Sequence, residues 1–224
     1  AHNLSPETIG CACCREDGDL VPEAGLRSCV RREGLIARTL RPLLAKRAQY
    51  KVLKKTAPTS ALRERAAARV AAHKWLLVCS FGYLGYRNAR FGRIEAHEAT
   101  TAWGREMLLR AKETAEDLGF HVLHAIVDSL WVVRRGRATP PAEYEALARA
   151  IERATGLPMS FEGAYRWIAF LPSKQDPRRP VSQRYVGAFE SGALKVRNLA
   201  LRRSDTPPFL AELQTRMLGE LAKA

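Results

Sequence analysis

Apolar positions along this chain follow two different periods, and the change between them organises everything else. From Gly34 to Lys55, Leu35, Leu40, Leu43 and Leu44 recur at helical spacing, and a Thr56-Ala57-Pro58-Thr59 breaker separates this segment from an Ala- and Arg-rich second helix over Ser60 to about Cys79. The pair predicts an antiparallel helical hairpin. Further on, Arg105 to Leu118 predicts another helix, with Gly119 where a left-handed C-terminal cap belongs. The pattern then changes. Val122 to Val133 is rich in Val, Ile, Leu and Trp, and predicts a buried β-hairpin or one long strand. Pro140-Pro141 opens a helix that Gly156 closes; Phe161 to Leu171 and Arg184 to Phe189 predict strands, Ser191-Gly192 a hairpin turn, and Pro207 to Ala222 a last helix. Residues 1 to 32, broken by Pro6, Gly10, Gly18, Pro22 and Gly25, read as loop. Ser173 to Pro180 forms a polar loop, and no internal repeat is visible.

Composition narrows the function. The 224 residues are 46% hydrophobic, enough for a core in one large domain or two small ones. Lys and Arg number 37 against 23 Asp and Glu, a formal charge of +14 that points to a polyanionic partner, nucleic acid first. The longest apolar run, Trp75 to Tyr86, is too short and too interrupted for a membrane span, and no secretory signal is visible. Four of the five cysteines crowd between Cys11 and Cys29, while Cys79 stands apart; an odd count without an export signal predicts reduced thiols and a cytoplasmic location.

Three sets of residues could carry chemistry. Arg47, Lys51 and Lys54 stand at i, i+4 and i+7 of the first hairpin helix, with Lys74 across the hairpin, and such a face suits a triphosphate or a phosphate backbone; a solvated basic face is the plainer alternative. Asp128 is the only acid between Gly119 and Glu143, in the middle of an apolar run. A buried carboxylate there needs a metal or an Arg partner, and an exposed one belongs at a hairpin turn. Cys11, Cys14 and Cys29, with Cys13 or His2, offer four ligands at zinc-knuckle spacing, with free thiols or an iron–sulfur cluster as alternatives. His73, His97 and His121 are scattered and read as structural.

Several segments, taken in order, carry a resemblance. Lys74-Trp-Leu-Leu-Val-Cys-Ser-Phe-Gly-Tyr-Leu-Gly-Tyr86, then Ala89-Arg-Phe-Gly-Arg-Ile-Glu95 and Thr101-Ala-Trp-Gly-Arg-Glu106, resemble the second motif of B-family DNA polymerases and the palm helix after it. Leu123-His-Ala-Ile-Val-Asp-Ser-Leu130 is similar to their third motif, usually Tyr-Gly-Asp-Thr-Asp-Ser. His2-Asn-Leu-Ser-Pro-Glu-Thr8 resembles the residues that follow their first motif. Gln183-Arg-Tyr-Val-Gly187 resembles their duplex-contacting palm motif, and Val196-Arg-Asn-Leu with Arg202-Arg-Ser-Asp-Thr-Pro207 resembles the passage into the thumb.

The resemblance implies an α+β fold: a fingers helical hairpin, a palm antiparallel sheet built around Val122 to Val133 and residues 161 to 197, and the start of a thumb. Its divisions would be a Cys-containing palm loop over 1–32, fingers over 33–80, palm over 81–198 and thumb from 199. It implies a DNA-directed DNA polymerase in which Arg47, Lys51 and Lys74 hold the incoming dNTP and Phe81, in place of the usual Tyr, lines the nascent base pair. Gly82 would permit close approach, Arg184 and Tyr185 would touch primer-template DNA, and Asp128 would bind the catalytic Mg2+ ions. Ile126 replaces the first Asp of the third motif and Val78 replaces the Asn of the second. The first motif and its metal-binding Asp would lie before Ala1, so the segment alone is expected not to polymerise. A separate polypeptide or longer parent carrying that motif and an exonuclease domain is one implied partner, with a nucleoid-associated location. A catalytically inactive DNA-binding accessory subunit is the other implied role.

Overall fold

Small residues on one face of a long helix determine how the first part of the chain packs. In the computed structural model, which describes residues 2–223, this helix is α3, Ile94–Asp117, preceded by α1, Leu35–Thr56, and α2, Ser60–Leu84. Ala96, Ala99, Ala102, Trp103 and Met107 of α3 are buried with Ile9, Val21 and Leu84. Side chains this short let the N-terminal loop lie close against the helix, while Trp103 supplies most of the apolar bulk. The chain forms two compact units, Ala1–Met107 and Leu108–Ala224.

In the first unit the N-terminal loop is ordered by short pieces: a 3-10 turn at Ala12–Cys14 and a ribbon of β1, Asp19–Leu20, with β2, Arg27–Ser28. Asn3, in the left-handed region at φ 51°, donates from Nδ2 to the carbonyls of Cys29 and Arg32 at 2.6 and 2.7 Å and accepts from the Gly34 N–H at 2.7 Å. Glu7 accepts from the Leu35 N–H, and Ser5 Oγ accepts from the Ile36 N–H at 3.0 Å. Three of the N–H groups that a helix start leaves unpaired are thus met from the loop, which the non-capping Gly34 side of α1 could not do itself. Thr59 caps α2 by accepting from Leu62 N–H at 3.3 Å. α1 and α2 run antiparallel, as Arg69 to Tyr50 at 3.1 Å requires, and between them bury only Ala66 and Leu84.

Both helix ends extend beyond the expected bounds. α2 continues to Leu84, five residues past Cys79, because nothing in Ser80-Phe81-Gly82-Tyr83 breaks it, so Gly82 lies inside its last turn. α3 begins at Ile94 and not at Arg105; Gly104 is absorbed within it, since the buried alanines before it outweigh the intrinsic cost of one helical Gly, about 1 kcal/mol.

In the second unit, β3, His121–Ile126, and β4, Ser129–Val133, form a hairpin closed by a two-residue turn, Val127-Asp128. α4, Pro141–Thr155, packs Leu147 and Ile151 against Ala111, Ala115 and Phe120. Gly119 at φ 78° and Gly156 at φ 68° end their helices in the left-handed conformation, as expected. β5, Tyr165–Pro172, β6, Pro180–Phe189, and β7, Leu194–Arg197, make a three-stranded antiparallel sheet in chain order, with Gly192 in the β6–β7 turn. β5 starts four residues later than Phe161, whose ring stacks on Tyr144 instead of entering the sheet. The hairpin is a separate two-stranded sheet, not part of one continuous palm sheet. It meets the other sheet through Trp131, Phe170, Tyr185 and His124, with His124 Nε2 3.0 Å from the Ser182 carbonyl oxygen. α5, Pro208–Leu221, closes the chain, and the fold is α+β throughout.

Candidate nucleotide and nucleic-acid interface

Between α1 and α2 of the first unit an open cavity of about 390 Å3 is lined by Arg47, Lys74, Leu77, Val78 and Phe81. Arg47 and Lys74 meet because the helices are antiparallel, and the segment between them turns back over the Ala57-Pro58 connection. The Arg47 Nε is shielded from solvent and lacks a hydrogen-bond partner among the described residues. A guanidinium with an unused donor beside an ammonium fits a polyphosphate, and Phe81, 39% exposed, supplies a ring edge to the same space. Phe81 is held by stacking on His97 of α3. Lys51 stands one turn further along α1, exposed and outside the cavity wall. Val78, at the position of the family's Asn, gives this wall an apolar patch. Gly82 is exposed, and a Cβ there would meet nothing within 4 Å.

In the second unit Asp128 takes the exposed hairpin-turn position, the second of the two alternatives that the sequence left open, and not the buried mid-strand one. It lies in the β3–β4 turn and is exposed, accepting from Ser129 Oγ at 3.2 Å. No burial penalty acts on it, so the cost of a charge in an apolar strand does not identify it. Val127 beside it is the informative residue: a β-branched side chain in the left-handed region, φ 53°, costs about 1–3 kcal/mol. Ile126, where the family has an Asp, is a strand residue opposite Ser129. Among the described residues no three His, Cys, Asp or Glu side chains converge around Asp128; one exposed carboxylate fits as a single ligand and does not by itself make a two-metal centre.

Tyr185 also requires a correction. Its side chain is 4% exposed and packs on Trp131 and Phe170, so it serves the core beneath the sheet and its ring is not presented to a duplex. Its neighbour Arg184 points the other way along β6, as alternation requires, and is partly exposed.

The four N-terminal cysteines converge. Cys13 Sγ lies 3.5 Å from Cys11 Sγ and 3.6 Å from Cys29 Sγ, and Cys14 Sγ lies 3.8 Å from Cys13 and 3.7 Å from Cys29. Adjacent Cys13 and Cys14 both join the cluster, because the tight turn at Ala12–Cys14 brings them to the end of β2 together. His2 is not a member; it stacks on Trp103 and approaches Asp19. Burial pushes Cys11 up to about 12, helped by its thiol neighbours. For Cys29 burial also opposes ionisation, but the N–H groups of Arg31 and Arg32 outweigh it and bring the thiol down to about 6. Sequence spacing pointed to this set; the convergence of all four is the structure's addition.

Along the chain a basic helical hairpin is followed by a long helix, a β-hairpin whose turn carries Asp128, and a three-stranded antiparallel sheet. Residues 1–133 match the model of DNA polymerase family B, and the chain belongs to that family. It is 33% identical over its whole length to "DNA polymerase 2" of Saccharolobus solfataricus, covering 31% of that protein, and 30% identical to a DNA polymerase of Archaeoglobus fulgidus, covering 27%. The family B DNA polymerase from the hyperthermophilic archaeon Pyrobaculum calidifontis superposes on all of this chain with a TM-score of 0.65 at 25% identity, over 27% of its own length. The chain therefore spans under a third of the length of these relatives. Among the described residues no helix is long and apolar enough to cross a membrane.

Proposed function

We propose that this chain is the fingers-and-palm segment of a family B DNA polymerase, which binds primer-template DNA and an incoming dNTP and transfers a nucleotidyl group within a larger assembly. The observation that carries the reading is the cavity where Arg47 and Lys74 meet Phe81, since it offers charge for a triphosphate and a ring for a base at one place. Arg47 and Lys74 bind and orient the phosphates, with Lys51 guiding them from the neighbouring turn. Arg184 contacts the duplex backbone, which positions without reading sequence. The exposed position of Gly82 leaves that turn open to a close neighbour.

Asp128 is one ligand for Mg2+, which when bound neutralises charge on the transferring phosphoryl group. The remaining carboxylate comes from the first motif, on a preceding segment or a separate polypeptide that also carries the exonuclease domain. The divisions at 1–32, 33–80, 81–198 and 199 onward follow the same reading, as does a place in DNA replication at the nucleoid. Mg2+-dependent primer extension by the full-length protein tests it. Extension that survives Asp128→Ala rejects the role of that carboxylate.

One observation favours a second reading, a polymerase-like subunit that binds DNA without synthesis: Ile126 stands where the family has an Asp, and Val78 where it has an Asn. DNA binding with no extension under any metal, unchanged by Asp128→Ala, selects it.

A further inference from the structure

The N-terminal loop holds a group of side chains that the polymerase reading does not use. We propose that Cys11, Cys13, Cys14 and Cys29 form a tetrathiolate zinc site that fastens the loop to the root of the α1–α2 hairpin.

The distances decide among the states open to four neighbouring thiols. A tetrahedral zinc centre with Zn–S bonds of about 2.3 Å has S···S edges of about 3.8 Å. Four of the sulfur pairs here lie at 3.5, 3.6, 3.7 and 3.8 Å, and all four sulfurs lie within 4.8 Å of one another. A disulfide brings its sulfurs to about 2.0 Å, so no pair is in that state. An iron–sulfur cluster sets its cysteines around a cage of iron and sulfide and needs them further apart than this. Thiolate-only ligation selects a soft or borderline ion, and with four sulfurs in one small volume a closed structural zinc site follows.

The surroundings suit the charge such a site carries. Four thiolates on Zn2+ leave a net charge of −2. The N–H groups of Arg31 and Arg32 and the Arg32 guanidinium all bond to the Cys29 sulfur, so donors already address the ligand from outside the set. Cys14 and Cys29 are 2% and 1% exposed, which keeps water from competing for the ion.

The local fold needs such a tie. Residues 2–33 contain one 3-10 turn and two strands of two residues, little to hold a loop by itself. The same loop supplies the bonds from Asn3, Ser5 and Glu7 that begin α1, and Asn3 binds the carbonyl of Cys29 itself. Metal binding at Cys29 is therefore linked to the start of the hairpin through one residue, and binding energy there is folding energy for the loop.

The test uses the full-length protein purified under reducing conditions. Elemental analysis should find zinc tied to this segment, falling by about one atom per chain in Cys14→Ser and unchanged in Cys79→Ser. Alkylation with mass mapping should label exposed Cys79 in the native protein and protect the other four until a chelator is added. Co2+ exchanged into the site should give the visible bands of a tetrahedral cobalt thiolate, lost in Cys14→Ser. Should Cys14→Ser fail to fold, the protection pattern and cobalt spectrum of the unmutated protein decide alone. Four freely alkylated thiols, a mapped disulfide, or iron in place of zinc would each overturn the proposal. None of the four sulfurs lines the Arg47 cavity, so these outcomes leave primer extension as a separate test.

Discussion

The ring of Phe81 stacks on the imidazole of His97, 4.2 Å between centroids and 21° between planes. The contact depends on Gly85: a Cβ there would lie 2.8 Å from His97 Cδ2, tighter than real contacts allow. Glycine at the end of α2 thus lets α3 support the aromatic wall of the cavity between α1 and α2. Gly85→Ala should cost about 1–3 kcal/mol in chemical denaturation, through the displaced ring. His97→Ala should cost about 0.5–1.5 kcal/mol. A stability loss within error for both would show that the stack supports nothing.

Lys74→Ala and Arg47→Ala should each weaken dNTP binding by roughly 10- to 100-fold, the equivalent of one charge-assisted hydrogen bond of about 1.5–3 kcal/mol. Lys51→Ala, outside the cavity wall, should weaken it less. Titration of a fluorescent deoxynucleoside triphosphate into full-length protein bound to primer-template measures all three. Equal effects from the three substitutions would contradict the cavity as the binding site.

Val127→Asn should stabilise the protein by about 1 kcal/mol, because Asn accepts the left-handed conformation and Val127, 76% exposed, gives up no packing. If the strained turn exists to place Asp128, the same change should lower extension activity while raising the melting temperature. Asp128→Asn should move the melting temperature little, since the carboxylate is exposed.

Asn3 makes three hydrogen bonds from a left-handed backbone. Asn3→Ala loses all three and adds strain, for about 3 kcal/mol; Asn3→Gly loses the bonds alone and should cost less. Hydrogen exchange at Gly34 and Leu35 should rise in both.

Glu143 contributes to the acid limb of stability. Hydrogen bonds from Arg137 at 2.8 and 2.7 Å come first, outweighing desolvation, and with the Arg134 ion pair at 3.0 Å they hold this carboxyl below its ordinary 4.5. A depressed carboxyl stabilises the fold above its unfolded value and loses that contribution as pH falls through the folded one. The melting-temperature difference between the protein and Glu143→Gln should therefore be constant above about pH 5 and close as pH falls below 4.5. A difference that stays level to pH 3 would remove the pair from the acid response.

What the sequence made legible was whatever is enforced locally. Gly119 and Gly156 cap helices because the chain there needs a positive φ, and the Thr56 to Thr59 breaker separates two helices because Pro58 has no N–H to give. The family order was readable because several motifs stand in register. The misses were tertiary. α3 starts eleven residues early because buried alanines at 96, 99 and 102 override Gly104, and Tyr185 is drawn under the sheet by Trp131 and Phe170, which are distant in sequence. Arg47, Lys74 and Phe81, which the helix pattern and the resemblance pick out, line one cavity. Asp128 takes the exposed turn position that the sequence left open beside a buried one, and local pattern alone could not choose between them because both fit an acid within an apolar run.

The helical hairpin buries almost nothing along its length, with Ala66 and Leu84 the exceptions. The packing of a core therefore places few demands on its side chains. Most substitutions along α1 and α2 alter what the hairpin touches without altering whether the protein folds. The parts whose substitution threatens folding are the alanine face of α3 and the loop that begins α1, where the buried side chains and the helix-start hydrogen bonds lie.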